Sequence, residues 1–504
     1  MENKVVILGG GTAGWLTALF INKNWPAADV TVVEDPATPP IIAGESGSAV
    51  VNNLFNFIGV NFDDWVVATN AMPKLGGIFT DWNGVGTEFV HGLIPDWYDL
   101  QYKNNYPEFA RAKDLVSLAV AENIPLENIL YNARLQRLNK LPITDSVDPN
   151  FRFNLITMPM WHFDSRATAD FLKQQGINRN IKLIERKYLK SNLSESGKIN
   201  SIILDGDLEI SANWFFDCSG FSRLLLEKTV GGKLDDMSQY FPAREVVAWW
   251  DESPKLINHT KITAMKYGWS WEINLNHRAG NGYIFDSDHI TFDQAIQEAS
   301  ARFNKEIQPV AHLKFTPSIT KEPWMQNVIA IGLSAGFLEP LESNGLAQVV
   351  SQLQHLSEFW SPTEHYNNLL RERYNQEFQK QMEDILCFLA LHYRGHRRDT
   401  DFWIDHGNNP NRIPPSLMNR LEMFKEGFLG IDDTPSYSLE SWCIVAQGLD
   451  LINIPKLRER MLAKRDNIFD EFHHSYQYIT KEIENICKIS YTMEQWREKN
   501  YGRN

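Results

Sequence analysis

An α/β fold with a parallel sheet, a separate antiparallel sheet and a helical C-terminal part is predicted by three observations. The first 35 residues read strand, glycine turn, helix, strand. Residues 240 to 290 alternate in polarity between Gly-rich turns, as an antiparallel sheet does. Beyond about Tyr374 the apolar residues recur mostly at helical spacing.

The opening unit is the most informative. Lys4 to Leu8 (KVVIL) is a β-branched apolar run suited to a strand buried on both faces. Thr12 to Asn24 carries Ala13, Leu16, Thr17, Leu19 and Phe20 at helical spacing, and Asp29 to Glu34 (DVTVVE) is the second strand. Between the first strand and the helix, Gly9-x-Gly11-x-x-Gly14 fits the dinucleotide fingerprint. One glycine makes the tight turn, one admits the pyrophosphate, and one lets helix and strand pack. Thr12 and Ala13 would present amides to the pyrophosphate at the helix start. Glu34, 20 positions past Gly14, ends the second strand where an acid accepts ribose hydroxyls.

Two later junctions favour FAD over NAD. Asn213 to Cys218 runs apolar into Ser219-Gly220, and Asn327 to Ile331 runs into Gly332-Leu333, as the returning strands of large flavoproteins do. The expected fold is therefore the Rossmann-type flavoprotein fold of the glutathione-reductase and hydroxylase kind. Gly280-Asn281-Gly282 reads as a hairpin turn rather than a second fingerprint. No NAD(P)H site is built in, and the electrons arrive from elsewhere. The helix predicted from Gly345 to Trp360 places Leu346, Val349, Val350, Leu353 and Leu356 on one face.

A chain of 504 residues, 43% hydrophobic, can bury a large core. The predicted organisation is an FAD-binding part over residues 1–385, with the 240–290 sheet inserted, and a mainly helical part over 386–504 packed on it. The net charge of −14 disfavours nucleic acid as a partner, and the basic run Arg394 to Arg398 reads as solvated loop. Cys218, Cys387, Cys443 and Cys487 are scattered, which argues for a reducing compartment and against a structural metal. The apolar stretch Val5 to Ile21 holds the fingerprint glycines and is not read as a signal peptide. With no other long apolar run, no membrane span is predicted and the expected location is the cytoplasm.

Several stretches resemble the flavin-dependent halogenases of the tryptophan-halogenase-like family. They are VVILGGGTAGW (Val5 to Trp15), Gly44-Glu45-Ser46, Lys74 within PKLGGIFTDW, and WHFDSRATADFL (Trp161 to Leu172). FDCSG (Phe216 to Gly220), GWSWEI (Gly268 to Ile273), IGLSAGFLEPLESNG (Ile331 to Gly345) and LHYRGHRRDTDFW (Leu391 to Trp403) continue the resemblance to about residue 430. It implies that reduced FAD, O2 and a halide ion (chloride or bromide) yield hypohalous acid, which travels through the interior to an aromatic substrate. Lys74 then matches the essential lysine and Glu342 its partner acid. Trp269 and Trp271 would line the route, Asn344 and Gly345 would face the halide, and Gly44, Glu45, Ser46, Gly332 and Leu333 would join the fingerprint in holding FAD. The roles are chemically sound: an ammonium makes hypohalous acid a better electrophile, and a carboxylate can take the proton lost from the ring.

The chain departs from the family pattern in places. Ile273 is followed by Asn274 where Pro is usual, Asn344 stands in place of a threonine, and Leu93 replaces a Phe, while His91 matches an aromatic-site position. Ser436 to Trp442 runs directly into Val445-Ala446-Gln447-Gly448, skipping much of a Tyr- and Glu-rich segment that grips free tryptophan. Trp442 remains as the candidate aromatic wall. The reading is a two-component halogenase for an indole-like aromatic other than free tryptophan, fed FADH2 by a separate NADH-dependent flavin reductase; a homodimer stays open. The alternatives are an FAD-dependent aromatic monooxygenase and a non-catalytic flavin-binding protein.

Overall fold

The computed structural model describes residues 3–38, 46–92, 112–144, 159–363, 367–430 and 436–502. Gly44, Glu45 and Leu93 lie outside the described residues. The chain divides into two compact units, each assembled from three stretches. The first comprises Met1–Ala71, Phe163–Phe241 and Lys314–Met382, the second Met72–His162, Pro242–Leu313 and Glu383–Asn504. The sheet at 240–290 thus shares a unit with the helices after Glu383 rather than with the glycine fingerprint.

The first unit is built on a six-stranded sheet in the order Trp324–Met325, Val328–Ala330, Trp214–Asp217, Lys4–Leu8, Asp29–Glu34, Lys182–Glu185. All pairs are parallel except the outermost, which is a hairpin. Parallel strands are covered on both faces, so Val5, Val6, Ile7, Leu8, Val32 and Val33 are all buried. The predicted helix is observed at Thr12–Asn24 and packs against Ser165–Asn178. Gly176 permits this approach, because a Cβ there would lie 2.4 Å from the Trp15 ring. The later helix spans Asn344–Phe359, one residue offset from its predicted bounds.

In the second unit a seven-stranded sheet runs in the order Pro309–Lys314, Glu245–Asp251, Ala279–Phe285, Gly268–Asn274, Thr260–Met265, Gly76–Thr80, Glu88–Gly92. Glu245–Asp251 through Thr260–Met265 pair antiparallel, as predicted. Thr260–Met265 then joins Gly76–Thr80 in parallel, which extends the sheet with residues from much earlier in the chain. Helices follow after Glu383, among them Pro415–Lys425, Leu439–Gly448 and Ile468–Ile489.

Two expectations are corrected. Gly280-Asn281-Gly282 is no turn: it lies inside the strand Ala279–Phe285, and the reversal is made by Leu275 to Arg278, whose ends share a 2.8 Å hydrogen bond. Gly282 sits opposite Trp271 in register, and a Cβ there would fall 2.1 Å from the indole. The glycine clears a ring. The run Arg394 to Arg398 is likewise not solvated throughout, since Arg394 and Arg397 are buried. Arg397 donates from Nη1 to the carbonyls of Asp81 (3.2 Å) and Ala264 (2.8 Å) and pairs with Asp399 at 2.7 Å. Its charge is tolerated inside because its donors are met.

Candidate active site

The residues predicted to hold the nucleotide and described in the structure lie within the first unit. Gly9 adopts φ +120°, and a Cβ there would lie 2.2 Å from the Cys218 carbonyl, so the turn after the first strand admits only glycine. A Cβ on Gly14 would lie 1.8 Å from the Gly9 carbonyl, which is the helix-strand approach the fingerprint requires. Gly11 is the opposite case: a Cβ there would meet nothing within 4 Å. Gly11 is the N-cap of the helix Thr12–Asn24 and brings no side chain to its first amides. Open space and uncapped amides together fit a dinucleotide pyrophosphate. Cys218 beneath this turn packs as a neutral thiol, its pKa pushed up by burial.

The returning strands meet the same place. Gly332, with φ +68°, lies beside Ala13, a Cβ on it falling 3.4 Å from the Ala13 Cβ. Leu333 follows half-buried, and Ser46 is buried in the short strand Ser46–Gly47. Two buried glutamines hold the Gly332 turn. Its N–H donates to Gln352 Oε1 at 2.8 Å and its carbonyl accepts from Gln348 Nε2 at 3.0 Å. Both escaped the sequence reading. Their signal is a polar pair at i, i+4 on an otherwise apolar helix face. Asp217, read in the sequence only as part of FDCSG, is buried, and its carboxylate accepts from Ser219 N at 3.0 Å and from Leu225 N and Leu226 N at 2.8 Å each.

Glu342 belongs to the first unit and sits on an unusual backbone. Glu342 (φ 64°, ψ 8°) and Ser343 (φ 57°, ψ 39°) are consecutive left-handed residues with side chains, placed immediately before the helix Asn344–Phe359. Such conformations cost on the order of 1–2 kcal/mol each and gather at functional sites. Asn344 Nδ2 closes the turn onto the Leu341 carbonyl at 3.0 Å. Ser343 makes no side-chain cap, and a Cβ on Gly345 would meet nothing within 4 Å. The helix start therefore has room and backbone amides for a small anion, which suits a halide.

The second unit holds Lys74 and the aromatic residues. Lys74 is 5% exposed, at the end of the strand Met72–Lys74, which pairs antiparallel with Met160–His162. His162 is fully buried, with Nε2 2.8 Å from Thr260 Oγ1. Burial first, and then the charge of Lys74, hold its imidazole well below the ordinary pKa, so it is neutral at pH 7. Trp269 and Trp271 project from one face of their strand with ring centroids 5.7 Å apart. From Trp269 the rings continue to Trp82 at 6.4 Å, Phe79 at 5.6 Å and His392 at 5.0 Å from Phe79. Phe388 lies 5.1 Å further, and it meets His91 at 5.6 Å, Tyr437 at 3.7 Å and Trp442 at 5.1 Å. Trp269, Trp271, His91 and Trp442 are thus linked by successive ring contacts within one unit.

A family model described as tryptophan halogenase matches residues 4–467. The chain belongs to the tryptophan halogenase family. It is a flavin-dependent halogenase with the Rossmann-type flavoprotein fold that the sequence predicted. Among its relatives, the tryptophan 7-halogenase RebH of Lentzea aerocolonigenes is 29% identical over 454 residues, covering 84% of this chain and 82% of the relative. The tryptophan 7-halogenase KtzQ of Kutzneria sp. (strain 744) is 28% identical over 449 residues, covering 84% and 81%. Among solved structures, BrvH, a flavin-dependent halogenase from Brevundimonas sp. BAL3, has a TM-score of 0.82 at 26% identity over 99% of both chains. The tryptophan 6-halogenase SttH from Streptomyces toxytricini has a TM-score of 0.85 over 98% of this chain and 99% of its own, at 24% identity, and shares the fold.

One departure of the halogenase from the family pattern, Asn274, has a local structural account. Asn274, where Pro is usual, is buried. Its Oδ1 accepts from Lys255 N at 2.6 Å and its Nδ2 donates to Glu272 Oε1 at 3.1 Å, so hydrogen bonds fasten the strand end that a proline would fasten through φ. Trp442 is 1% exposed, on the helix Leu439–Gly448, with the Arg420 guanidinium 4.1 Å from its ring centroid. Its ring centroid lies 5.1 Å from that of Phe388. Lys74 and Glu342, the two candidate catalytic groups, come from different compact units.

Proposed function

We propose that the halogenase converts halide and O2 into hypohalous acid with electrons from reduced FAD and delivers it to an electron-rich, indole-like aromatic other than free tryptophan. Gly9, Gly11, Thr12, Ala13, Gly14, Glu34, Ser46, Gly332 and Leu333, with Gly44 and Glu45, hold the cofactor. When bound, reduced FAD supplies the two electrons for activating O2. Asn344 and Gly345 offer amides to chloride or bromide at the helix start. Trp269 and Trp271 line the route of the hypohalous acid. The ammonium of Lys74 donates a hydrogen bond to it and makes the halogen the electrophile, and the carboxylate of Glu342 takes the proton released as the ring regains aromaticity.

The observation that carries this reading is the burial of Lys74 in the unit that holds the unbroken aromatic contacts from Trp271 to Trp442. A buried amine beside a neutral imidazole is reserved from bulk water. The substrate class rests on the C-terminal segment. The N–H groups of Ser436 and Tyr437 both donate to Asp384 Oδ2, at 2.8 and 3.2 Å, and the Tyr437 ring is stacked on Phe388. These backbone groups are engaged in the fold rather than offered to an amino acid's amine and carboxylate, and the ring is met by His91, Leu93 and Trp442, as the resemblance implies. A separate NADH-dependent flavin reductase supplies FADH2, because the chain carries one nucleotide fingerprint. Four free buried cysteines accord with a cytoplasmic enzyme.

The test uses photochemically reduced FAD with O2, bromide and indole, products read by mass. Bromoindole is expected from the wild type, and none from Lys74→Ala with FAD affinity retained. Hydroxylated indole without halogenation would establish the monooxygenase alternative instead. Turnover of free tryptophan in preference to indole would overturn the substrate assignment.

A further inference from the structure

We propose that Lys173 is a positioning residue of the cofactor site, holding one oxygen of the Glu34 carboxylate so that the other is presented to the adenosine ribose. The proposal rests on the FAD reading above. Lys173 lies on the helix Ser165–Asn178, which packs on the fingerprint helix Thr12–Asn24. Its Nζ is 2.5 Å from Glu34 Oε1 and 2.9 Å from Glu185 Oε1. Glu34 and Glu185 are register partners on the neighbouring parallel strands Asp29–Glu34 and Lys182–Glu185. Two carboxylates side by side repel and turn away from each other unless a cation stands between them. Lys173 is that cation. Burial opposes its charge, and the hydrogen bonds to Glu34 and Glu185 outweigh the burial, so its pKa is raised and the ammonium persists.

The second oxygen of Glu34 is fixed from the other side. A Cβ built on Gly10 would fall 1.7 Å from Glu34 Oε2, so this oxygen lies against the fingerprint loop itself. With Oε1 tied to Lys173 and Oε2 against the loop, the carboxylate has one orientation. The contact is sheltered as well: the Glu34 and Lys173 side chains are mostly covered, whereas Glu185 is largely exposed. A partly shielded pair suffers less screening than a surface one. Ribose hydroxyls donate best to an acceptor already in place, because orienting it on binding costs affinity. Gly10, having no side chain, leaves room for the acid that reads the ribose.

The experiment compares oxidised FAD with FMN, which lacks the adenosine half, by fluorescence titration of the full chain. Lys173→Met is expected to weaken FAD about tenfold, the scale of one charge-assisted hydrogen bond, and to leave FMN affinity unchanged. Lys173→Arg should restore FAD affinity to within about threefold, because an ordinary cation at that place suffices. In a Glu34→Gln background, Lys173→Met should change FAD affinity less than about twofold. Unchanged FAD affinity in Lys173→Met, equal losses for FAD and FMN, or additive losses with Glu34→Gln would each overturn the proposal. If Glu34→Gln itself leaves FAD affinity intact, the ribose assignment of Glu34 fails and takes the proposal with it. If Glu34→Gln weakens FAD and Lys173→Met does not, the FAD reading stands and the role of Lys173 alone falls.

Discussion

Replacing Gly282 by alanine tests whether the paired tryptophans are held by the sheet or merely lie on it. The added methyl carbon would fall 2.1, 2.3 and 2.6 Å from Trp271 Cζ2, Cη2 and Cε2, where favourable carbon contacts begin near 3.5 Å. Gly282 cannot retreat, because it is in register between Trp271 on one neighbouring strand and Ala248 on the other. The indole has to swing. Overpacking of this kind costs about 1–3 kcal/mol, and because Trp271 is only half-buried, so that its ring can move partly outward, the expected loss is about 1–2 kcal/mol. Equilibrium urea denaturation of Gly282→Ala, Trp271→Ala and the double variant measures it. Without the indole the methyl group has space, so Gly282→Ala in the Trp271→Ala background should cost nothing or stabilise slightly, alanine being less flexible than glycine in the unfolded chain. The same swing should lower the ratio of bromoindole to peroxide released, since Trp271 lies on the proposed route. Additive losses in the cycle, or wild-type stability of Gly282→Ala, would show that the Trp271 ring is not confined by its cross-strand partner.

Three further outcomes follow from the structure. Arg397→Met strands two buried carbonyls, those of Asp81 and Ala264, and should lower stability by about 2–4 kcal/mol; a loss below about 1 kcal/mol by urea denaturation would mean that those carbonyls find other donors. Ser343→Gly relieves a left-handed φ of 57° worth about 1–2 kcal/mol against roughly 0.5–1 kcal/mol of glycine flexibility, so the variant should be more stable by about 0.5–1 kcal/mol; a less stable variant refutes the strain. His259, with its pKa lowered from 6.5 to about 4 by burial and then by Lys261, binds a proton in the unfolded chain across that window but not in the native one. Its contribution to stability is therefore complete above pH 6.5 and lost as pH falls toward 4, by roughly 3 kcal/mol. Denaturation as a function of pH should show a shallower fall over that window in His259→Gln than in wild type.

The opening βαβ unit was legible because its information is local. Strand, glycines, helix and acid lie within Lys4 to Glu34, and each residue type answers a backbone demand made by its immediate neighbours. The pairing of Trp269 with Trp271 was legible for the same reason, since alternation along a strand is a property of the chain itself. Gly280-Asn281-Gly282 misleads because a glycine that reverses the chain and a glycine that clears a ring are the same letter; only the partner, Trp271, tells them apart. The basic run at Arg394 misleads in a similar way. Its acceptors are carbonyls at Asp81 and Ala264, more than a hundred residues away in sequence.

By itself the sequence determined that this protein opens on a dinucleotide-binding βαβ unit, continues into an antiparallel sheet and a helical tail, and resembles the halogenases at Lys74, Trp269, Trp271 and Glu342. Those features follow from periodicity, turn chemistry and short motifs. The tertiary structure alone decided which long-range partners these residues meet: Lys173 against Glu34, Gln348 and Gln352 against Gly332, Gly282 beneath Trp271, and the rings leading from Trp271 to Trp442. It also decided that Glu342 and Ser343 take left-handed backbones. The physical reason is common to all of them: burial, cross-strand register and a strained turn are imposed by segments distant along the chain, and no local pattern in a single sequence encodes a distant neighbour.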